Sequence, residues 1–215
     1  SSIVPRFEPK PGLNGQIRTQ AERTRTAETK MVLAAITLLN TVGIKGTTLV
    51  AIGDKSGYSR GLATHHFGSK AGLFRTVLKR ISEAWSTRLN EQLAGQTGLD
   101  AVKIAIDTHL HFVLAHPEYM RVQYMLWGAA IDPATEFKPN VAEFMQIQRE
   151  SVASWITAGQ AEGEIRKELD PERLAEQYYG ALIGITKQWQ VSPDFDLPAA
   201  YKDFKHNFVR QLRAE

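Results

Sequence analysis

Residues 47–67 read TTLVAIGDKSGYSRGLATHHF, and the punctuation inside this stretch decides the fold. Thr47-Thr48 are hydroxyl residues of the kind that cap a helix start by accepting orphan backbone N–H bonds. A short helix is expected from Leu49 to Ser56, with Leu49, Val50 and Ile52 apolar. Gly57 breaks it, because a left-handed turn is cheap only for a residue without Cβ. Ser59 can cap a second helix, Arg60 to Phe67. Two short helices around a glycine-containing turn make a helix-turn-helix, whose second helix is shaped for the DNA major groove.

Outward from this stretch, a helix over Arg23–Thr41 carries Met31, Ala34, Ala35, Leu38, Leu39 and Val42 as one apolar stripe, expected to pack against the pair. Gly43 and Gly46 end it. After Gly68-Ser69 a long helix carries Leu73, Phe74, Val77, Leu78, Ile81, Trp85 and Leu89 and ends near Gly95. This helix is expected to be the only link between an N-terminal and a C-terminal domain.

With its flanking helices, the stretch resembles the DNA-binding domain of the TetR family of transcriptional regulators. The likeness spans residues 25–85 and rests on Thr48, Ile52, Gly57, Ser59, Gly61, His65, Phe67, Lys70 and Leu73. The chain departs from the family's pattern at Gly53 and Ser56, where alanine is usual, at Tyr58, where valine is usual, and at Thr64, often a tyrosine.

The charge distribution agrees. Residues 1–80 hold 13 Lys/Arg against 4 Asp/Glu, a balance of +9, while residues 81–215 hold 13 against 19, a balance of −6. A basic block coinciding with a helix-turn-helix is the electrostatic footprint of phosphate binding. Residues Thr47, Thr48, Ser59, Arg60, Gly61, Leu62, Ala63, Thr64, His65, His66 and Lys70 are the candidate DNA contacts. Arg60 is the leading candidate for a base edge, since its fork matches guanine O6 and N7, with a phosphate contact as the alternative. The histidines, threonines and Lys70 would position the backbone, and Leu62 and Ala63 would divide between thymine methyls and packing. Phe67 is expected in the core.

The rest of the chain reads all-α, about nine helices in total, with no strand signal. Helices are expected over 99–115, 117–131, 140–163, 171–191 and 198–213, punctuated by Pro117, Asp132-Pro133, Asp170-Pro171 and Ser192-Pro193. The expected domains are a flexible basic arm (1–22, with Arg6, Lys10 and Arg18), a helix-turn-helix domain (23–70) and a helical regulatory and dimerisation domain (71–215). The last two helices carry surplus apolar residues. The resemblance implies a homodimer through Tyr178, Leu182, Ile185, Trp189, Phe204, Phe208 and Leu212; completing the monomer core is the alternative. It also implies a small-molecule cavity among the middle helices, lined by His109, Phe112, Met120, Tyr124, Trp127, Phe144, Gln148 and Trp155.

Other chemistry has little support. There is no cysteine, which removes disulfides and thiolate metal sites. His109 and His111 point about 200° apart on a helix, and no metal or cofactor is expected. Gly57-Tyr58-Ser59-Arg60-Gly61 echoes a nucleophile elbow, but that motif needs a strand before it and a sheet around it, so catalysis is not expected. No apolar run approaches about 18 residues and the start lacks a signal-peptide core, so a cytoplasmic protein without a membrane span is expected. The expected function is a ligand-responsive regulator, a repressor in the first instance, binding a palindromic double-stranded operator and released by a small effector. A sequence-tolerant architectural DNA binder is the alternative.

Overall fold

A computed structural model of the chain describes residues 18–215. Arg6 and Lys10 of the expected arm lie outside the described residues; Arg18 is exposed, and the first helix already begins at Gln20, capped by Thr19. Among the described residues there are nine helices: α1 (Gln20–Gly46), α2 (Leu49–Ser56), α3 (Arg60–Phe67), α4 (Lys70–Leu93), α5 (Gly98–Ala115), α6 (Pro117–Ala129), α7 (Lys138–Ala161), α8 (Pro171–Val191) and α9 (Leu197–Leu212). The sole strand-like feature among them is an isolated bridge between Ile165 and Arg213, which no pattern in the sequence announces.

The helices group into two compact units. The first holds residues up to Ala84 together with Pro117–Lys138; the second holds Trp85–His116 and Pro139–Glu215. The helix-turn-helix unit therefore extends beyond residue 70 and takes in α6. The chain crosses between units within α4, at His116–Pro117 and at Lys138–Pro139, so the expectation that α4 is the only link is corrected.

In the first unit α1 packs against α2 and α6, and α2 against α3. Its core contains Met31, Val32, Ala35, Ile36, Leu39, Ile52, Leu73, Phe74, Val77 and Ile81, all buried. By length and composition α1 would pass for a membrane span, against the expectation of none. Its buried residues Met31, Val32, Ala34, Ala35, Ile36 and Leu39 instead belong to this core, where α2 and α6 pack against the helix. Val42, read as part of the stripe, is 55% exposed; the helix is broken next to it at Gly43, where φ is +74°.

In the second unit α9 packs against α5 and α8. Asp170 caps α8 by accepting from the Glu172 and Arg173 N–H groups, and Asp196 caps α9 by accepting from Ala199. On α7 Val141, Val152 and Ile156 are buried, while Ile147, apolar and on the same helix, is exposed. Tyr178, Leu182, Phe208 and Leu212 are buried within this unit. Tyr178 meets the Phe204 and Phe208 rings at 6.1 and 5.7 Å. These four complete the unit's own core, which revises their reading as dimer contacts. Ile185, Trp189 and Phe204 are half-buried.

Candidate nucleic-acid interface

The turn between α2 and α3 is built from local chemistry. The Thr48 hydroxyl accepts from the Ala51 N–H at 3.1 Å, and the Ser59 hydroxyl accepts from Leu62 at 3.0 Å. Gly57 takes φ +79°, ψ +11°, the left-handed region that closes a helix and re-aims the chain. Gly53 sets how near the two helices come. A Cβ there would lie 2.9 Å from the Arg60 nitrogen and 3.0 Å from the Tyr58 carbonyl oxygen. That contact is to backbone, which cannot move aside, and it accounts for glycine where the resembled family has alanine. Gly53→Ala is therefore expected to destabilise the fold by about 1–3 kcal/mol despite better helix propensity, measured as a lowered thermal midpoint.

Helix α3 is two-faced. Ala63 is fully buried and Phe67 is 8% exposed, while Arg60, Gly61, Leu62, Thr64 and His65 are exposed. No acidic residue lies in its first turn, and Arg60 has no ion-pair partner among the described residues. A cation at the positive end of a helix is unfavourable for the helix itself, so its placement there favours an anionic partner outside the chain.

Other expected contacts divide. Thr48 and Ser59 are exposed at helix starts, although both hydroxyls already cap their helices. Thr47 is fully buried, its hydroxyl donating to the Gly43 carbonyl at 2.8 Å. Thr47 and Ala63 thus offer no side chain to DNA, which revises the expectation for these two. His66 is turned inward, with Nε2 2.8 Å from the Glu28 carboxylate. Lys70 lies 5.7 Å from the Phe74 ring centroid, and partial burial pushes its ammonium below the ordinary lysine range.

The expected ligand-contact residues fall in both units. In the second, the Trp85 indole donates to the Gln148 side-chain oxygen at 3.0 Å and packs edge-on to His109 and Phe112. Trp155 and Trp85 pack on the cluster of Leu89, Leu93, Ala101 and Ala105. His109 Nδ1 is 2.6 Å from the Tyr201 hydroxyl, which lies 2.8 Å from that of Thr186. Burial pushes His109 down to about 4, so the imidazole is neutral near pH 7. Phe144 also belongs to this unit. Met120, Tyr124 and Trp127 belong to the first, where Met120 is buried and the Tyr124 and Trp127 rings stand 5.2 Å apart. Trp85 and Tyr201 were missed as partners of His109 because a single sequence does not show which helices become neighbours. Among the described residues no three His, Asp or Glu side chains gather as a metal site.

A helical core that presents a two-faced recognition helix from a basic unit defines a helix-turn-helix DNA-binding protein. Residues 32–77 match the profile of "Bacterial regulatory proteins, tetR family". The HTH-type transcriptional regulator RutR of Escherichia coli K12 is 26% identical over 165 residues, covering 74% of this chain and 75% of its own. Two solved structures share the fold. A TetR-family regulator from Rhodococcus sp. superposes with a TM-score of 0.76 at 19% identity, covering 86% of this chain and 98% of that one. A transcriptional regulator from Saccharomonospora viridis, solved in complex with choline, gives 0.76 at 16% identity, covering 88% and 99%. The matched segment, the relatives and the shared fold together support a TetR-family transcriptional regulator.

Proposed function

We propose that this chain represses transcription by binding palindromic operator DNA as a homodimer, and that a small apolar or amphipathic effector releases it. The observation that carries the reading is the exposed face of α3, with Arg60 at the helix start, without an ion-pair partner among the described residues and with no acid in the first turn. Thr48, Ser59, Arg60, Gly61, Leu62, Thr64, His65 and Lys70 form the proposed DNA surface. Two such helices related by a twofold axis would read half-sites about 34–36 Å apart. A cytoplasmic location follows from a chromosomal target.

Arg60→Ala is expected to weaken operator binding by about 1–3 kcal/mol and to relax preference at the contacted base pair. Competition anisotropy with single-base operator variants reads both effects. Equal losses on every sequence would make Arg60 a phosphate contact instead.

The proposed dimer surface lies on α8 and α9, around half-buried Ile185, Trp189 and Phe204. At Gly180 and Gly184 an added Cβ would meet nothing within 4 Å, so α8 presents bare backbone to an approaching helix. Gly184→Arg is expected to convert dimer to monomer without lowering helix content, as seen by sedimentation equilibrium and circular dichroism. A dimer of undiminished affinity would place the interface elsewhere. For the effector, the cluster of Trp85, Phe112, His109 and Gln148, mostly aromatic with few polar groups, supports a largely apolar ligand that makes few hydrogen bonds.

A further inference from the structure

Glu28, on α1, is an acid in the basic unit, and both of its carboxylate oxygens are engaged by other helices. Oε1 accepts from Arg80 Nη1 of α4 at 2.6 Å, and Oε2 lies 2.8 Å from His66 Nε2 of α3. Arg80 is only 3% exposed, and its Nη2 donates to the Thr29 hydroxyl at 2.6 Å. Arg25 adds a looser approach to Glu28 at 3.9 Å and to Glu83 at 3.5 Å. Burial raises the Glu28 carboxyl, but the hydrogen bonds from His66 and Arg80 and the Arg80 charge outweigh it and hold the group below its ordinary value. Among the described residues, the His66–Glu28 contact ties an α3 side chain to another helix.

We propose that Glu28 is a positioning residue for DNA recognition: through His66 and Arg80 its carboxylate clamps α3 to α1 and α4, setting the angle at which the exposed face of α3 is presented. This rests on reading α3 as the recognition helix. The geometry suits the task. His66 and Phe67 occupy the inward face near the end of α3, where a hydrogen bond at the ring tip restrains rotation about the helix axis. Arg80 ties the same carboxylate to the middle of α4, so a displacement of α4 is transmitted to α3 through one shared group.

The test uses the full chain and three variants. His66→Leu removes the α3 arm and leaves Arg80 paired; His66→Gln restores a donor; Glu28→Gln removes the charge. Hydrogen exchange on the free protein is read first. His66→Leu is expected to speed exchange of the Leu62–Phe67 amides at least about tenfold while core amides of α1 and α4 stay within about threefold, and His66→Gln should recover most of the protection. Unchanged α3 exchange, or an equal rise throughout the unit, would overturn the clamp.

DNA binding supplies a sign. Glu28→Gln removes a negative charge beside DNA, which by phosphate attraction alone tightens binding to any duplex. The clamp predicts instead that the preference for operator over scrambled DNA falls at least about tenfold, and an unchanged preference would overturn it. Wild-type protein without operator preference would end the regulator reading, while the exchange measurement still decides whether Glu28 holds α3.

Discussion

Replacing Glu28 by alanine is expected to destabilise the protein by about 3–5 kcal/mol. The deletion leaves the Arg80 guanidinium, 3% exposed, without its carboxylate. Holding an ion out of water is costly, and the close carboxylate contributes to offsetting that cost. Thr29 still accepts one hydrogen bond from Arg80, but a neutral oxygen does not replace a carboxylate. Removing both charges tells the two contributions apart. Glu28→Leu combined with Arg80→Leu should be less destabilised than Glu28→Ala alone, because a buried ion pair is worth little more than an apolar pair of similar size, while a broken pair is worth much less. Urea denaturation followed by circular dichroism measures both variants. A loss below about 1 kcal/mol for Glu28→Ala would show that Arg80 finds water or another partner, and that the pair is not a structural pin.

The second large effect is a loss of stability in acid that originates in the other unit. His109 stands between Trp85 and Tyr201, and burial pushes it from 6.5 down to about 4. The unfolded chain takes up this proton near 6.5 and the folded protein only near 4. Lowering the pH between those values therefore favours unfolding, and the stability is regained as the pH rises. At about 1.4 kcal/mol for each pH unit of the gap, the contribution reaches ~3 kcal/mol by pH 4. Glu28, held below its ordinary value, adds a loss of the same sign below about pH 4.5. His109→Gln separates the two: it should flatten the decline between pH 6.5 and 4 and leave the part due to Glu28. An unchanged pH profile in His109→Gln would show that His109 charges in the folded protein without penalty.

The local punctuation of the chain is what sequence reading renders best. Thr48, Gly57 and Ser59 act in the structure as their side chains suggest, because caps and left-handed turns are decided by a residue and its immediate neighbours. Pro117 and Asp170-Pro171 mark helix starts for the same reason. What depends on remote neighbours is less legible. Val42 and Ile147 have the right periodicity for a core yet face water, since a stripe tells which residues share a face and not where its partner helix stops. Ala63 and Thr47 sit inside the motif that carries the likeness, but a buried alanine and an exposed one have the same letter. His66 was read as facing DNA because the acid that claims it, Glu28, lies a whole helix away. Tyr178 and Phe208 satisfy each other across α8 and α9, whereas their surplus of apolar surface had suggested a partner chain. An apolar face shows that something covers it, not whether the cover is the same chain or a second copy, so the two outcomes were indistinguishable before packing was known.

The central claim is that the exposed face of α3 reads a specific DNA sequence. The most direct measurement is fluorescence anisotropy of the full chain with the intergenic DNA beside its own gene, against a scrambled duplex, across a salt series. Binding at least about a thousandfold tighter to the intergenic DNA at physiological salt is the expected result. Equal affinity for the two duplexes, falling with the same steep salt slope, would contradict it and leave a protein that grips phosphates without reading bases.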